Sequence, residues 1–181
     1  MNRLQVIATR FFIGWGIFCA IIVVVLAIAI AYQYGPGRAS NRTASAHDIR
    51  YVLNWCELGY ERIDEVLHSH ITAKSLTGDH IEAHAIKITK IDVSELTNGS
   101  TGAGWFRVDD ATGVIDDALE FVEQWIPSED IPWFLSESEL RSSEVYMYPW
   151  SIYYHGTRPT AVKLIFVRPK EKIVFYFAAK T

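Results

Sequence analysis

The chain has 181 residues, of which 50% are hydrophobic and 21% are charged, with a formal net charge of −4 at pH 7. This apolar content excludes a disordered chain, and ordinary numbers of glycine and proline exclude collagen-like or low-complexity sequences. Two cysteines are too few for a small domain held together by disulfides. The length suits one ordinary domain with an accessory segment.

The accessory segment is an uninterrupted apolar stretch near the N-terminus. Residues 11–31 carry no charge, and a helix of this length extends roughly 32 Å, close to the thickness of a bilayer core. Tyr32 and Tyr34 follow it, at the position where aromatic side chains favour the membrane interface. The pattern predicts a membrane-spanning helix over residues 11–34, preceded by a short basic tail over residues 1–10.

A cleaved signal peptide is the competing interpretation of this stretch. Its apolar core is typically about 7–15 residues, which is shorter than the stretch seen here, so we favour an uncleaved anchor. Basic residues flank both ends almost equally, with Arg3 and Arg10 in the tail. Because so short a tail offers little to translocate, we expect the N-terminus inside and the following domain outside the cytoplasmic membrane.

Residues 35–47 are expected to be a linker, and residues 48–181 a single soluble domain. The domain holds all 21 acidic residues against 13 Lys and Arg residues, a net charge of −8. This balance argues against a nucleic-acid partner, because phosphate binding requires a basic surface. The charge is also uneven: residues 109–144 contain eleven acids and one base, whereas residues 158–181 contain six bases and one acid.

The domain opens with the pattern of an amphipathic helix. The segment from Ser45 to Asp48 resembles an N-terminal cap. Apolar residues then follow at the spacing of one helix face: Ile49, Val52, Leu53 and Cys56. Since Cys56 lies on that face, we expect a buried, unreactive thiol.

Residues 65–91 predict a β-hairpin that turns at residues 77–79. Helical spacing fits part of this segment, but its β-branched residues favour strands. A three-residue loop separates apolar from polar side chains onto opposite faces and pairs His84 with Thr72. A shift by one residue would mix the two sets, so this register is the expected one.

In that register, His70, Glu82 and His84 lie together on the polar face. Imidazole and carboxylate groups are typical zinc ligands. A metal-dependent hydrolase with zinc as its cofactor is therefore one alternative function. A solvent-facing strand surface explains the same residues without a ligand.

A second helix is expected to reach Trp125, with Asp110 or Thr112 as its cap. Its solvent side carries four acids: Asp116, Asp117, Glu120 and Glu123. A solvated helix face accounts for them, but an acidic face also suits a basic partner. We take these four residues as a candidate partner-binding site.

The C-terminal part of the domain predicts a meander of strands over residues 144–150, 151–155, 160–167 and 173–179. The last two strands are almost continuously apolar, so we expect them to be central and covered on both faces. The fold class is therefore α+β, with two helices packed on a mainly antiparallel sheet.

Three aromatic residues alternate on one face of the first strand of this meander: Tyr146, Tyr148 and Trp150. Aromatic surfaces of this kind bind partner proteins, peptides or sugars. Packing of the sheet under a helix is the alternative explanation. We include these residues in the candidate partner-binding site.

The sequence contains no motif that singles out a catalytic serine, and no G-x-S-x-G is present. The leading hypothesis is therefore a single-pass protein, anchored in the bilayer by residues 11–34, whose domain acts by binding a protein partner. An envelope component, or a toxin neutralised by an immunity protein, would fit this arrangement. A structural subunit of a membrane complex, assembled through small residues of the spanning helix, is a further alternative.

Overall fold

The structure is a computed structural model, and it describes residues 3–34, 44–72, 78–97, 104–126 and 131–181. The chain divides into two compact units, Met1–Arg38 and Ala39–Thr181, and each is treated by itself. Most of the expected linker over residues 35–47 lies outside the described residues.

The first unit contains helix α1, Arg3–Tyr34. Its part Arg10–Ala31 spans 22 residues with a mean hydropathy of 2.9. At a rise of 1.5 Å per residue this part is roughly 33 Å long, comparable to a bilayer core. Helix α1 is therefore long and apolar enough to cross a membrane, and it begins within the segment expected to be a tail.

In the described part of the second unit, six strands form one antiparallel sheet. The strands are β1 (Ile63–Ile71), β2 (His80–Ile88), β3 (Phe106–Arg107), β4 (Tyr146–His155), β5 (Arg158–Arg168) and β6 (Ile173–Lys180). Their order across the sheet is β1-β2-β6-β5-β4-β3. The α+β class and the central position of the apolar C-terminal strands are thus confirmed.

Helices cover both faces of this sheet. They are α2 (Ala46–Trp55), α3 (Val93–Thr97), α4 (Val114–Glu123) and α5 (Glu137–Leu140). On the face called here the α2 face, Ile49, Val52 and Leu53 pack on Ile165, Val174 and Tyr176. On the opposite α4 face, Leu119 and Val122 pack on Leu164, Phe166 and Phe177.

Burial on both faces explains why the central strands are apolar at successive positions. Residues 174–179 of β6 are all buried, although their side chains alternate between the two faces. Each large apolar side chain buried in this way contributes about 1.5–3 kcal/mol. Phe134 adds to the α4 face, where its ring packs edge-on against Phe166 and Phe175.

The start of α2 follows its sequence pattern, but the start of α4 does not. Ser45 and Asp48 form the reciprocal hydrogen bonds of a capping box. Helix α4 begins after Gly113, and neither Asp110 nor Thr112 caps it. Gly113 has a φ of 58°, a conformation that glycine adopts without strain, so the backbone turns into the helix without a side-chain cap.

The predicted hairpin exists, but the predicted register was wrong. His84 pairs with Ser69 rather than with Thr72, and the Thr72 amide donates to the carbonyl of Ile81 at 2.9 Å. The prediction assumed one apolar and one polar face. Residues 83–86 of β2 are instead all buried, so the separation of polar from apolar side chains does not determine the register. Residues 73–77, which include part of the predicted turn, lie outside the described residues.

The meander also differs from the prediction at one point. The expected strands over residues 144–150 and 151–155 form the single strand β4. The pairing of β4 with β5 shifts by one residue between Pro149 and Ser151. The strand continues through this bulge, although the sequence at this point suggested a break between two strands.

Replacing Leu119 by alanine should lower the free energy of unfolding by about 2–5 kcal/mol, because Leu119 is fully buried on the α4 face. The adjacent Glu120 is exposed, and Glu120→Ala should change stability by no more than about 0.5 kcal/mol. Urea unfolding of the full chain in detergent measures both values. Equal losses in the two variants would contradict the packing of α4 described above.

Candidate functional site

The register of the hairpin separates the predicted zinc ligands. His84 and Glu82 lie on the α2 face, whereas His70 pairs with Ala83 and lies on the α4 face. His68 also lies on the α4 face, stacked on Trp133 with ring centroids 5.0 Å apart. Within the described ranges, no group of three or more His, Cys, Asp or Glu side chains is placed to hold a metal ion.

On the α2 face, four side chains form a hydrogen-bonded chain, called here the polar chain: Ser69, His84, Glu82 and Tyr51. The Ser69 hydroxyl lies 2.9 Å from His84 Nδ1, and His84 Nε2 lies 3.0 Å from Glu82 Oε1. The Tyr51 hydroxyl donates to the same carboxylate oxygen. Strands β1 and β2 and helix α2 each supply members of this chain.

The centre of the polar chain is removed from water. The side chain of His84 is 0% exposed and that of Glu82 is 23% exposed. Tyr176 stacks on the His84 ring at a centroid distance of 5.8 Å and meets Tyr51 edge-on. Buried polar groups are costly unless they are hydrogen-bonded, so these contacts hold the chain in one arrangement.

The pKa shifts within the polar chain indicate that Glu82 is charged and that the two tyrosines are neutral. Burial by itself raises the pKa of Glu82, but hydrogen bonds from His84 and Tyr51 outweigh it and leave the pKa lowered. Burial, together with the Glu82 charge, raises the pKa values of Tyr51 and Tyr176. Glu82 is therefore a carboxylate that accepts from Tyr51 and from His84 Nε2–H. In the neutral imidazole this tautomer leaves His84 Nδ1 as the acceptor for the Ser69 hydroxyl.

The four predicted acids of α4 are divided between two environments. Asp116 and Glu123 both pair with Arg141, and the Arg141 Nε lies 2.6 Å from Glu123. Asp117 accepts a hydrogen bond of 3.1 Å from the Tyr154 hydroxyl. Glu120 is exposed. The predicted acidic face is thus partly neutralised by the protein's own arginine.

A groove of about 480 Å³ lies where α4 meets the turn between β4 and β5. Its lining includes two acids, one base and three large apolar residues: Asp117, Glu120, Arg158, Phe121, Trp125 and Pro159. We call it the α4 groove. The α4 groove includes Asp117 and Glu120, the two predicted acids that do not pair with Arg141.

Ion pairs also account for part of the uneven charge distribution along the chain. Arg168 of β5 pairs with Glu139 at 2.9 Å, and Lys170 pairs with Glu144. Both contacts join the acidic segment 109–144 to the basic segment 158–181. Part of the charge asymmetry along the sequence is therefore neutralised by ion pairs within the fold.

The aromatic residues of β4 lie on the α2 face. Tyr148 is 7% exposed and Tyr146 packs beside it, so both contribute to the core under α2. Trp150 is 42% exposed and stacks in parallel on Trp55, with ring centroids 5.0 Å apart. Lys163 Nζ lies 5.2 Å from the centre of the Trp55 ring. Of the three predicted residues, Trp150 offers the largest exposed ring to a partner.

Cys56 is buried, as its position on the helix face predicted. Loss of solvation raises the pKa of its thiol to about 12. A protonated thiol is a poor nucleophile. Cys56 therefore contributes to the packing of the α2 face.

Sequence patterns did not indicate Ser69 or Tyr51 as members of a site. The contact between Ser69 and His84 depends on the strand register, which the pattern did not determine. A weaker signal existed for Tyr51, because it lies four residues before Trp55 and shares a helix edge with it. Tyr51 and Trp55 are in ring contact, with centroids 4.5 Å apart.

The lowered pKa of Glu82 predicts a change of stability with pH. Its ordinary pKa is 4.5, so the stabilisation by Glu82 is complete above about pH 4.5 and is lost as pH falls through the lower folded value. The fall in Tm between about pH 6 and about pH 3 should be smaller in Glu82→Gln than in wild type. Near-UV circular dichroism follows the unfolding, with the exposed Glu65→Gln as control. The same fall in all three proteins would contradict the assignment.

Comparison with known proteins identifies no relative of this chain: no family model matches it, no curated protein matches its sequence, and no solved structure matches its fold.

Proposed function

We propose that the chain is a membrane-anchored binding protein whose domain captures a basic segment of a partner protein in the α4 groove. The observation that carries the proposal is the pairing of two carboxylates with an apolar lining in one groove. Asp117 and Glu120 supply the negative charge, and Phe121 and Trp125 supply the apolar surface.

This lining matches the chemistry of a lysine or arginine side chain. The aliphatic stem of such a side chain packs on aromatic surface while its charged end stays with acids or water. A cation beside Trp125 also gains from the ring quadrupole. A segment with alternating basic and apolar residues would use both features, since the carboxylates and the rings line the same groove.

The remaining charges define the specificity of the groove. Asp116 and Glu123 are paired with Arg141, so their removal alters the fold more than the groove. Arg158 places a positive charge in the lining, and it opposes a basic ligand. Loss of Arg158 should therefore increase the affinity for a basic ligand. Loss of Asp117 or Glu120 should decrease it.

The N-terminal helix supplies the anchor in this proposal. Helix α1 has the length and hydropathy for one crossing, and its first turns carry basic residues without an acid. We assign its N-terminus to the cytoplasm and the domain to the outer side of the cytoplasmic membrane. The partner is then an envelope protein or an incoming toxin.

A pair of reporter fusions tests the orientation. A C-terminal enzyme that is active only outside the cytoplasm should be active, and a C-terminal fluorescent protein that folds only inside should be dark. The same reporters fused to the N-terminus form the control and should give the opposite result. Fluorescence from the C-terminal fusion would place the domain in the cytoplasm and overturn the assignment.

Binding of a synthetic peptide tests the groove. A fluorescent peptide of alternating lysine and leucine should bind the full chain in detergent, and a peptide with glutamate in place of lysine should not. The double change Asp117→Asn with Glu120→Gln should weaken binding about tenfold at physiological salt. Arg158→Gln should strengthen it.

A charge-matched variant elsewhere on the domain makes this test specific. Asp64 and Glu65 are exposed on β1, and Asp64→Asn with Glu65→Gln removes the same amount of charge. This variant should bind the lysine peptide as the wild type does. Equal weakening in both double variants would show that only net charge matters and would reject the groove.

A further inference from the structure

We propose that Ser69 is a nucleophilic hydroxyl that hydrolyses carboxylic esters with His84 as its general base. The polar chain provides the nucleophile, the base and the orienting carboxylate of such a step. An imidazole within hydrogen-bond distance of a hydroxyl can remove its proton, and a carboxylate on the other ring nitrogen orients the ring and stabilises the resulting cation. The distances are 2.9 Å from Ser69 to His84 and 3.0 Å from His84 to Glu82.

The position of Ser69 in the sheet gives it access that His84 lacks. Strand β1 is the outermost strand on its side of the sheet, and Ser69 is partly exposed. His84, on the next strand, is fully buried. A substrate and the hydrolytic water can therefore approach the hydroxyl from the edge of the sheet, while Tyr176 covers the face of the imidazole on the inner side.

The reaction consumes only the ester and one water molecule, and the protein supplies every other group. Ser69 Oγ attacks the carbonyl carbon of the ester, and its proton passes to His84 Nδ1. The ester C–O bond breaks, and the alcohol leaves with that proton. Water then attacks the acyl-serine and gives a proton to His84, which returns it to Ser69 as the carboxylic acid departs.

Tyr51 acts as a positioning residue in this scheme. Its hydroxyl donates to the Glu82 oxygen that also accepts from His84, so it limits the rotation of the carboxylate. Removal of this hydrogen bond should raise the pKa of Glu82, because the bond stabilises the charged form. In Tyr51→Phe the loss of Tm on acidification should then begin at higher pH than in wild type, and labelling of Ser69 at neutral pH should slow, whereas loss of packing alone would not move the pH of the Tm change.

Labelling with a fluorophosphonate tests the nucleophile directly. The full chain in detergent is treated with the probe, and peptide mass mapping locates the product, in which an O–P bond forms and fluoride leaves. Ser69 should be labelled at least about 100-fold faster than any other serine, and heat unfolding should abolish the difference. Folded wild-type protein without a label on Ser69 would overturn the proposal, whatever the variants do.

Matched variants assign the roles of the individual groups. Ser69→Ala should abolish labelling and the turnover of a p-nitrophenyl ester, whereas Ser94→Ala, at an exposed serine, should change neither. Glu82→Gln should slow labelling about 100-fold, with near-UV circular dichroism as the test of folding. Labelling at the wild-type rate in folded Glu82→Gln would reject the role of the carboxylate, and the absence of ester turnover in wild type would reject hydrolysis.

This activity is independent of the proposed binding function. The polar chain lies on the α2 face, and the α4 groove lies beside the helix on the opposite face. An excess of the lysine peptide should therefore leave the rate of Ser69 labelling unchanged. A loss of peptide binding with retained labelling, or the reverse, separates the two proposals.

Discussion

The burial of both faces of the central strands is the constraint on which the rest of the domain depends. Strands β5 and β6 present apolar side chains on each side, so one layer of helix cannot cover them. Helix α2 covers one face with Val52 and Leu53, and α4 covers the other with Leu119. The same division places the polar chain under α2 and the groove beside α4, which makes the two candidate sites separate in space.

Charge has two roles in this domain, and tertiary contacts distinguish them. Arg141, Arg168 and Lys170 pair with acids that lie far away in sequence. Partly exposed pairs of this kind each contribute little to stability, but they neutralise surface that would otherwise attract a basic partner. Asp117 and Glu120 line the groove together with Arg158 and do not pair with Arg141, so the proposed binding of a basic segment is located there rather than along the whole acidic segment.

Packing alone does not explain the residues of the polar chain on the α2 face. An apolar side chain at position 84 would be easier to bury than an imidazole. His84 is tolerated because each ring nitrogen has a partner and Tyr176 covers the ring. A geometry held this firmly is also what proton transfer requires. For that reason the same contacts that satisfy the burial of His84 support the reactivity proposed for Ser69.

The sequence by itself determined the features that depend on local periodicity: the apolar length of α1, the capping box at Ser45, the amphipathic α2 and α4, and the continuous apolar strands β5 and β6. The tertiary structure alone decided the register of β1 on β2, and with it the contact of Ser69 with His84 and the separation of His70 from Glu82. It also decided which acids of α4 meet Arg141. The reason is that periodicity records which side of an element is buried, whereas a register and an ion pair depend on groups that are distant in the chain. Where both faces of a strand are buried, as on β2, the pattern no longer distinguishes one register from another.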